Sequence, residues 1–403
     1  MIELARRGYL ERLKRFLSAP AVTVVTGLRR VGKSVLLRQL ATDLESDAKV
    51  VYVDKESLAF DGIRTAADLV DHVEQQSSGA NEAAYLIVDE VQEIEGWERA
   101  VADLNSREGV RVVVAGSNAS VLAGELATGI AGRYVSLSVY PLSLREFADL
   151  YELIQGATVA RDRLLDTYLT FGGLPGVLHT DLSEEVVVQM LRDVFNTIAL
   201  RDVIARHRVR DAALFEAVTS FAFDNVGSLL SAKRIADFLK SRRRSATVDT
   251  VLNYLRYLTD AFVFHEAPRF DIKGKRRLEV NSKYYVGDVG VRRGLVGRQT
   301  EDLSGLLENL VYLELRRRGF DVFVGNLGDL EIDFLAMNGA ARIYIQVAYV
   351  MESSTTLQRE LRPLLSVPDA YPRLLLSMDP LEPGRLEGVR WLNLLDFLLG
   401  GEL

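Results

Sequence analysis

Gly27-Leu28-Arg29-Arg30-Val31-Gly32-Lys33-Ser34 decides the reading of this chain. The stretch has the spacing of a phosphate-binding loop. An apolar run, Ala21-Val22-Thr23-Val24-Val25, precedes it and reads as a buried strand. Val35, Leu36, Leu37 and Leu40 follow it and carry a helix that opens near Lys33. Strand, loop and helix are the context the chemistry requires. Glycines at 27 and 32 let backbone N–H groups wrap phosphate oxygens without Cβ clashes. The helix N-terminus adds partial positive charge. The expected nucleotide contacts run from Gly27 through Leu28, Arg29, Arg30, Val31, Gly32 and Lys33 to Ser34 and Val35. Lys33 is expected on the β and γ phosphates, and the Ser34 hydroxyl on Mg²⁺.

A second run supplies the acids. Tyr85-Leu86-Ile87-Val88-Asp89-Glu90 is a buried strand that ends in two carboxylates. Asp89 is expected to hold Mg²⁺, and Glu90 to polarise an attacking water as general base. Val112-Val113-Val114-Ala115-Gly116-Ser117-Asn118 ends a further strand in small polar residues. Ser117 or Asn118 would sit beside the γ phosphate there, unless the pair is merely a turn after a strand. Arg133 precedes the next strand. It reads either as a finger completing a neighbouring subunit's site or as a surface arginine.

These runs organise the chain. Helical spacing at Leu10, Leu13, Phe16 and Leu17 precedes the first strand, and Val50 to Val53, Val110 to Ala115 and Val135 to Val139 supply more. Continuous apolar strands alternating with helices predict a parallel α/β sheet covered on both faces, over residues 1–145. From 146 to 214 helical periodicity dominates, interrupted by Phe171-Gly172-Gly173-Leu174-Pro175-Gly176, a strong breaker. Strands return after about residue 300, at Val322 to Val324, Ile332 to Leu335, Arg342 to Val347 and Arg373 to Leu376, behind a helix from Leu306 to Arg317. The predicted division is 1–145, 146–214, 215–285 and 286–403.

Composition narrows the function classes. The chain has 403 residues, 48% of them hydrophobic and 26% charged, which suits buried cores and excludes general disorder. It has no cysteine, so thiol catalysis, Cys-ligated zinc and iron–sulfur clusters are excluded. His72, His179, His207 and His265 show no ligand spacing. No apolar run reaches the roughly 18 residues of a membrane span, and the N-terminus has no signal-peptide core, so a cytoplasmic protein is expected. Residues 200–299 hold 20 Lys and Arg against 11 Asp and Glu, a net of +9 in a chain whose formal total is −7. Such a basic middle points to local contact with a polyanion.

The loop, the strand Leu86-Ile87-Val88-Asp89-Glu90-Val91-Gln92, the end Gly116-Ser117-Asn118-Ala119-Ser120, and Gly132-Arg133 followed by Pro141-Leu142-Ser143-Leu144-Arg145-Glu146-Phe147 resemble the prokaryotic AAA-type ATPases that carry a C-terminal domain of unknown function. These in turn resemble origin-recognition-type ATPases. Gly172-Gly173-Leu174-Pro175 extends the resemblance over nearly the whole chain. It implies an AAA-like core, a helical lid, a winged helix and a nuclease-like terminus. It also implies an oligomer, possibly a ring, in which Arg133 acts in trans.

In the basic middle, Ser228 or Ser231 caps a helix to Lys240, and the loop Ser241-Arg242-Arg243-Arg244-Ser245 follows. Thr247 caps a second helix with Val251, Leu252, Leu255 and Leu258 as its apolar stripe. Ala261 to Glu266 reads as a strand. Phe270-Asp271-Ile272-Lys273-Gly274-Lys275-Arg276-Arg277 reads as a basic turn, with Leu278-Glu279-Val280 returning as a strand. This is a winged helix-turn-helix order, and DNA contact is expected through Arg242, Arg243, Arg244, Asn253, Arg256, Lys273, Lys275, Arg276 and Arg277, with weak sequence specificity. A protein-contacting module with a solvated basic face is the rival reading. Further on, Glu308, Asp333 and Gln346-Val347-Ala348 have the order of a metal-dependent nuclease site, but Gln and Ala stand where an acid and a lysine are needed. A nuclease-like fold without efficient cleavage is expected. Glu331 faces the same side of its strand as Asp333. The chain therefore reads as an ATPase using ATP and Mg²⁺ and contacting DNA. The alternatives are a nucleotide-gated assembly switch with protein partners and an ATP-dependent nuclease.

Overall fold

The computed structural model describes residues 2–77, 84–118, 133–278, 281–297, 303–351, 353–379 and 384–402. Two compact units divide it: Met1–Tyr140 with Asp260–Phe262, and Pro141–Thr259 with Val263–Leu403.

The first unit is built on five strands, β1 (Val22–Thr26), β2 (Lys49–Asp54), β3 (Ala84–Asp89), β4 (Val110–Gly116) and β5 (Tyr134–Ser138). Their order is β2-β3-β4-β1-β5, and every neighbouring pair is parallel. All five residues of β1 are buried, as are the last five of β4. Continuous burial on a parallel strand requires cover on both faces. One face packs against the helices Ala66–Ser77 and Trp97–Ser106, where Leu69, Val73, Trp97, Val101 and Leu104 meet Val51, Leu86, Val88, Val112 and Val114. The helix Arg7–Leu17 packs on β1 and on the helix Lys33–Leu44, which lies against β2 and β3. Because all strands run the same way, the ends of β1, β3 and β4 open along one edge.

The second unit opens at Pro141. Ser143 caps the helix Leu144–Gln155 with a full capping box, its side chain accepting from Glu146 N while Glu146 accepts from Ser143 N. The helices Arg161–Phe171 and Glu184–Thr197 follow, the latter continuing as a π-helix over Ile198–Ala205. The Gly-Gly breaker marks a close crossing of two backbones. Gly172 ends its helix at φ +75, and a Cβ there would lie 2.3 Å from Asp288 Oδ1 and 2.7 Å from Gly290 N. Gly173 donates its N–H to buried Asp288 at 2.7 Å and accepts from Leu142 N at 2.8 Å. Burial pushes the Asp288 carboxyl up to about 6 despite these amide donors.

Ala212–Asp224, Ala232–Ser241 and Val248–Asp260 are the next helices. Ser231, not Ser228, caps the second by accepting from Arg234 N, and the Thr247 hydroxyl accepts from Thr250 N at the start of the third. Leu252 does not join the apolar stripe. Val251, Tyr254, Leu255 and Leu258 are buried, whereas Leu252 is 51% exposed, since it lies one residue off the i, i+3, i+4, i+7 series. A three-stranded antiparallel sheet, β6-β10-β7, accompanies these helices, with β6 at Leu229–Leu230, β7 at Phe264–Ala267 and β10 at Ser282–Val286.

The basic hairpin is not part of that sheet. β8 (Arg269–Asp271) and β9 (Arg276–Arg277) form the edge of an eight-stranded sheet with β11 (Asp321–Leu327), β12 (Leu330–Asn338), β13 (Ala341–Val347), β14 (Arg373–Ser377), β15 (Gly384–Leu386) and β16 (Val389–Asn393). β8 runs parallel to β11, pairing Phe270 with Gly325. The reason is apolar: Ile272 is buried among Phe323, Leu327 and Ile332, and Phe270 packs beside them. Strand pairing therefore crosses the boundary expected at 285. The strand expected at Leu278-Glu279-Val280 falls partly on residues outside the described ones. Among the described residues, no helix is long and apolar enough to cross a membrane.

Candidate nucleotide site

β1 ends at Thr26, and the loop that follows is shaped by its glycines. Gly27 has φ +149, and a Cβ on it would meet the Val139 carbonyl oxygen at 2.3 Å. Gly32 caps the helix Lys33–Leu44 at φ 98, in left-handed backbone. Arg30, a non-glycine at φ 63, completes the curl. Leu28 and Val31 are buried and anchor the loop, so its backbone and not their side chains faces a ligand. Arg29 pairs with Glu56 at 3.5 Å. Val35 lies in the first turn of the helix. Lys33 is buried, with its ammonium donating to the Gly27 and Leu28 carbonyls at 3.0 and 3.2 Å.

The acids arrive from β3, two strands away in the sheet and about 10 Å from β1 at the usual strand spacing. Asp89 is buried, and the Ser34 hydroxyl at the head of the helix favours its carboxylate, which brings the two expected metal ligands together. Its Oδ1 also accepts from Glu90 N at 3.0 Å. Burial raises the Asp89 carboxyl to about 6, with the neighbouring Glu90 adding to the rise and Ser34 and Lys33 opposing it. Glu90 sits in left-handed backbone at φ 50 and ψ 49, a strained conformation for a non-glycine. Gln92 donates its amide to Glu90 Oε2 and orients the carboxylate. Gln92 had no assigned role in the sequence, and its signal is only its place two residues beyond the acid. Asp54 lies beside Asp89 in register. Tyr52, whose buried hydroxyl has no hydrogen-bond partner among the described residues, is raised by burial and then by Asp89 and Asp54.

β4 lies between β1 and β3, and Thr26 pairs with Gly116. Ser117 and Asn118 therefore emerge between the loop and the acids. Both are buried, and Ser117 Oγ has no hydrogen-bond partner among the described residues. Lys33, Ser34, Asp89, Glu90, Ser117 and Asn118 are thus brought to one edge. Arg133 is not. It is exposed, and its carbonyl accepts from Val22 N at the opposite end of β1, roughly 15 Å of strand from the loop.

A family model described as an AAA domain matches residues 19–148. A second, described as a domain of unknown function, DUF8612, matches residues 162–302. An uncharacterized protein of Haemophilus influenzae is 34% identical over 400 residues, covering 98% of each chain. The chain belongs to the AAA-type P-loop ATPases that carry this additional domain. An uncharacterized protein of Methanocaldococcus jannaschii is 28% identical over 353 residues, 85% of this chain and 77% of that one. A Walker-type ATPase of Pyrococcus abyssi shares the fold, with a TM-score of 0.53 at 16% identity over 73% of this chain and 96% of that one. The fold supports nucleotide binding and hydrolysis. The site residues fit a nucleotide with Mg²⁺: a loop curled at its glycines, a lysine at the helix N-terminus, and a hydroxyl that favours the Asp89 carboxylate. Gly132, Ala119 and Ser120 lie outside the described residues.

An Mg²⁺ site built on Asp89 needs the carboxylate form. With burial raising the Asp89 carboxyl to about 6, Mg²⁺–ATP affinity in this AAA-type ATPase is expected to fall about tenfold from pH 7 to pH 5. Titrating a fluorescent ATP analogue with Mg²⁺ at each pH checks this. ATP itself titrates in this range, so Asp89→Asn, which should lose its share of the dependence, is the control.

The expected nucleic-acid residues fall on three elements. Arg242, Arg243 and Arg244 occupy the turn after Ala232–Ser241 and are exposed. Arg244 donates to the Ala213 carbonyl at 3.1 Å, and the Arg242 guanidinium lies over Phe238. Asn253 and Arg256 are exposed on Val248–Asp260 but bonded to each other at 3.2 Å. Lys273, Lys275, Arg276 and Arg277 are exposed on the β8–β9 hairpin, with Arg277 over Phe323. In the nuclease-like segment, Glu308, Glu331 and Asp333 do converge, around a residue to which the sequence reading assigned no role, Lys283.

Proposed function

We propose that this protein hydrolyses ATP with Mg²⁺ and couples its nucleotide state to DNA contact. The observation that carries the first half is the convergence of Lys33 and Ser34, at the head of their helix, with Asp89 and Glu90 at the end of β3. Lys33 and the loop amides hold the phosphates, Ser34 and Asp89 hold the metal, and Glu90, oriented by Gln92, takes the proton of the attacking water. Ser117 or Asn118 meets the γ phosphate. The partner half rests on exposed cations. The helices from Ala212 to Asp260 with β6, β7 and β10 serve as a winged-helix module, and the β8–β9 hairpin, at the edge of the eight-stranded sheet, supplies further phosphate contacts. In this reading residues 1–145 are the ATPase core, 146–214 the helical lid and 286–403 a nuclease-like scaffold. Arg133, exposed and remote from its own loop, completes the site of a second copy in a homo-oligomer.

The test is duplex DNA affinity by fluorescence anisotropy, with ATP and then ADP, over a range of salt. The expected outcome is an affinity that differs between nucleotides and falls steeply with salt. Lys275→Ala is expected to weaken binding of all sequences alike and to lower the salt slope by about 1. Salt-insensitive or absent binding contradicts the DNA half. One observation favours a second reading, a protein partner. Val248 and Leu252, one helical turn apart, are 42% and 51% exposed on the helix expected to face DNA. Such an apolar pair suits a protein surface better than a phosphate backbone.

A further inference from the structure

Four ionisable side chains from three elements meet inside the second unit. Lys283 on β10 is 4% exposed. Its Nζ lies 3.0 Å from Glu308 Oε2 on the helix Leu303–Arg317. It lies 3.0 Å from Glu331 Oε1 and 3.4 Å from Asp333 Oδ1, both on β12. Other bonds fix the acids around it. Tyr285 donates its hydroxyl to Glu308 Oε2 at 3.1 Å, and Asp333 Oδ2 accepts from Val347 N at 2.9 Å. Gln346 accepts from Asp333 N at 3.4 Å and donates to Glu360 at 3.0 Å. Beside Glu308, Asn309 grips the same strand, accepting from Val286 N at 2.6 Å and donating to Val286 O at 3.0 Å.

A helix acid and strand acids converging on one point are what a nuclease-like site offers a divalent cation. Here that point is filled. An ammonium has three donors and no acceptor, and this one meets one oxygen of each of three carboxylates. We propose that Lys283 takes the place of the divalent cation, making this centre a metal-independent lock that holds β10 to the helix Leu303–Arg317 and to β12 and performs no cleavage.

The charge balance agrees. Burial, then the neighbouring Asp333, pushes the Glu308 carboxyl up to about 8, while Lys283 and the Tyr285 hydroxyl oppose the rise. Burial opposes the charge on Lys283, but Asp333, Glu308 and Glu331 together hold its pKa above the ordinary lysine value. Glu308 and Asp333 are themselves buried, which denies a nucleic-acid phosphate access to the acids.

The test counts Mn²⁺ bound to the nucleotide-free full chain, by the EPR signal of free Mn²⁺, together with thermal unfolding. Wild type and Asp333→Asn are expected to bind equal Mn²⁺. Lys283→Ala is expected to melt roughly 5–15 °C lower, since three acids lose their counter-ion. It is also expected to gain one Mn²⁺ per chain, lost again in the Lys283→Ala, Asp333→Asn double variant. An Asp333-dependent Mn²⁺ in wild type overturns the proposal. So does a folded Lys283→Ala that melts like wild type or gains no Mn²⁺. Should Lys283→Ala fail to fold, the comparison of wild type with Asp333→Asn decides alone, with equal Mn²⁺ supporting the lock.

Discussion

Glu90→Gln is expected to lower the turnover of ATP by about 10²–10⁴-fold while leaving ATP affinity within about threefold of wild type. Glutamine keeps the size of the side chain and can still meet Gln92, but it cannot accept the proton of the attacking water. Nothing that Glu90 contributes is a phosphate ligand. In the proposed site the metal contacts come from Ser34 and Asp89, which the substitution leaves in place. The loss therefore falls on kcat, the signature of an interaction made only in the transition state. The left-handed backbone at Glu90 also bears on this outcome, because it sets the direction in which the carboxylate leaves β3. Glutamine tolerates that conformation about as well as glutamate, so the fold should be unchanged. Phosphate release measured beside binding of a fluorescent ATP analogue separates the two effects. An equal loss of both would mean that Glu90 holds the nucleotide and is not the base.

Gly172→Ala should have the largest effect on stability. The added Cβ would lie 2.3 Å from Asp288 Oδ1 and 2.7–2.8 Å from the Gly290 backbone, in a residue already at φ +75. Neither obstacle is a flexible side-chain end that can swing away. Gly290 is backbone at the start of the helix Val289–Val296, and Asp288 is pinned by Gly173 N and Val291 N. Relief requires the two chain segments to part, which would leave the Asp288 carboxyl buried without its donors. The cost is expected at about 3–5 kcal/mol or more, a combination of overpacking, left-handed strain and a lost buried hydrogen-bond network. Thermal unfolding should show the second unit melting early, or the variant accumulating as insoluble protein. A melting curve like that of wild type would contradict the close crossing.

Much of the fold is legible in the residues because its signals are local. Apolar runs such as Val22 to Val25 and Leu86 to Val88 mark strands of a covered parallel sheet, and glycine spacing at 27 and 32 marks the loop between strand and helix. The site is legible for the same reason: Lys33, Ser34, Asp89 and Glu90 all lie at ends of strongly patterned segments. What stays hidden is non-local. Nothing near Phe270 and Ile272 tells that their apolar side chains belong to a sheet whose next strand begins at Asp321. Lys283 is bound to acids 25 to 50 positions away, and its one signal is a lone cation inside the buried run Ser282-Lys283-Tyr284-Tyr285-Val286. The Gly-Gly pair at 172 and 173 reads as a breaker, yet Gly172 leaves space for Asp288 and Gly290, and Gly173 leaves space for Tyr168 and Leu142. Leu252 shows the limit of periodicity: a one-residue offset moves an apolar side chain from core to surface.

The most direct test of the account is phosphate release by this chain, at low and at moderate salt, with and without duplex DNA, beside Lys33→Ala. The account predicts Mg²⁺-dependent turnover that DNA raises, more strongly at low salt, and that Lys33→Ala abolishes under every condition. Turnover that survives Lys33→Ala would contradict the nucleotide site. Turnover that Lys33→Ala abolishes but DNA leaves unchanged at both salts would contradict the coupling and leave the exposed Val248 and Leu252 face as the mark of a protein partner.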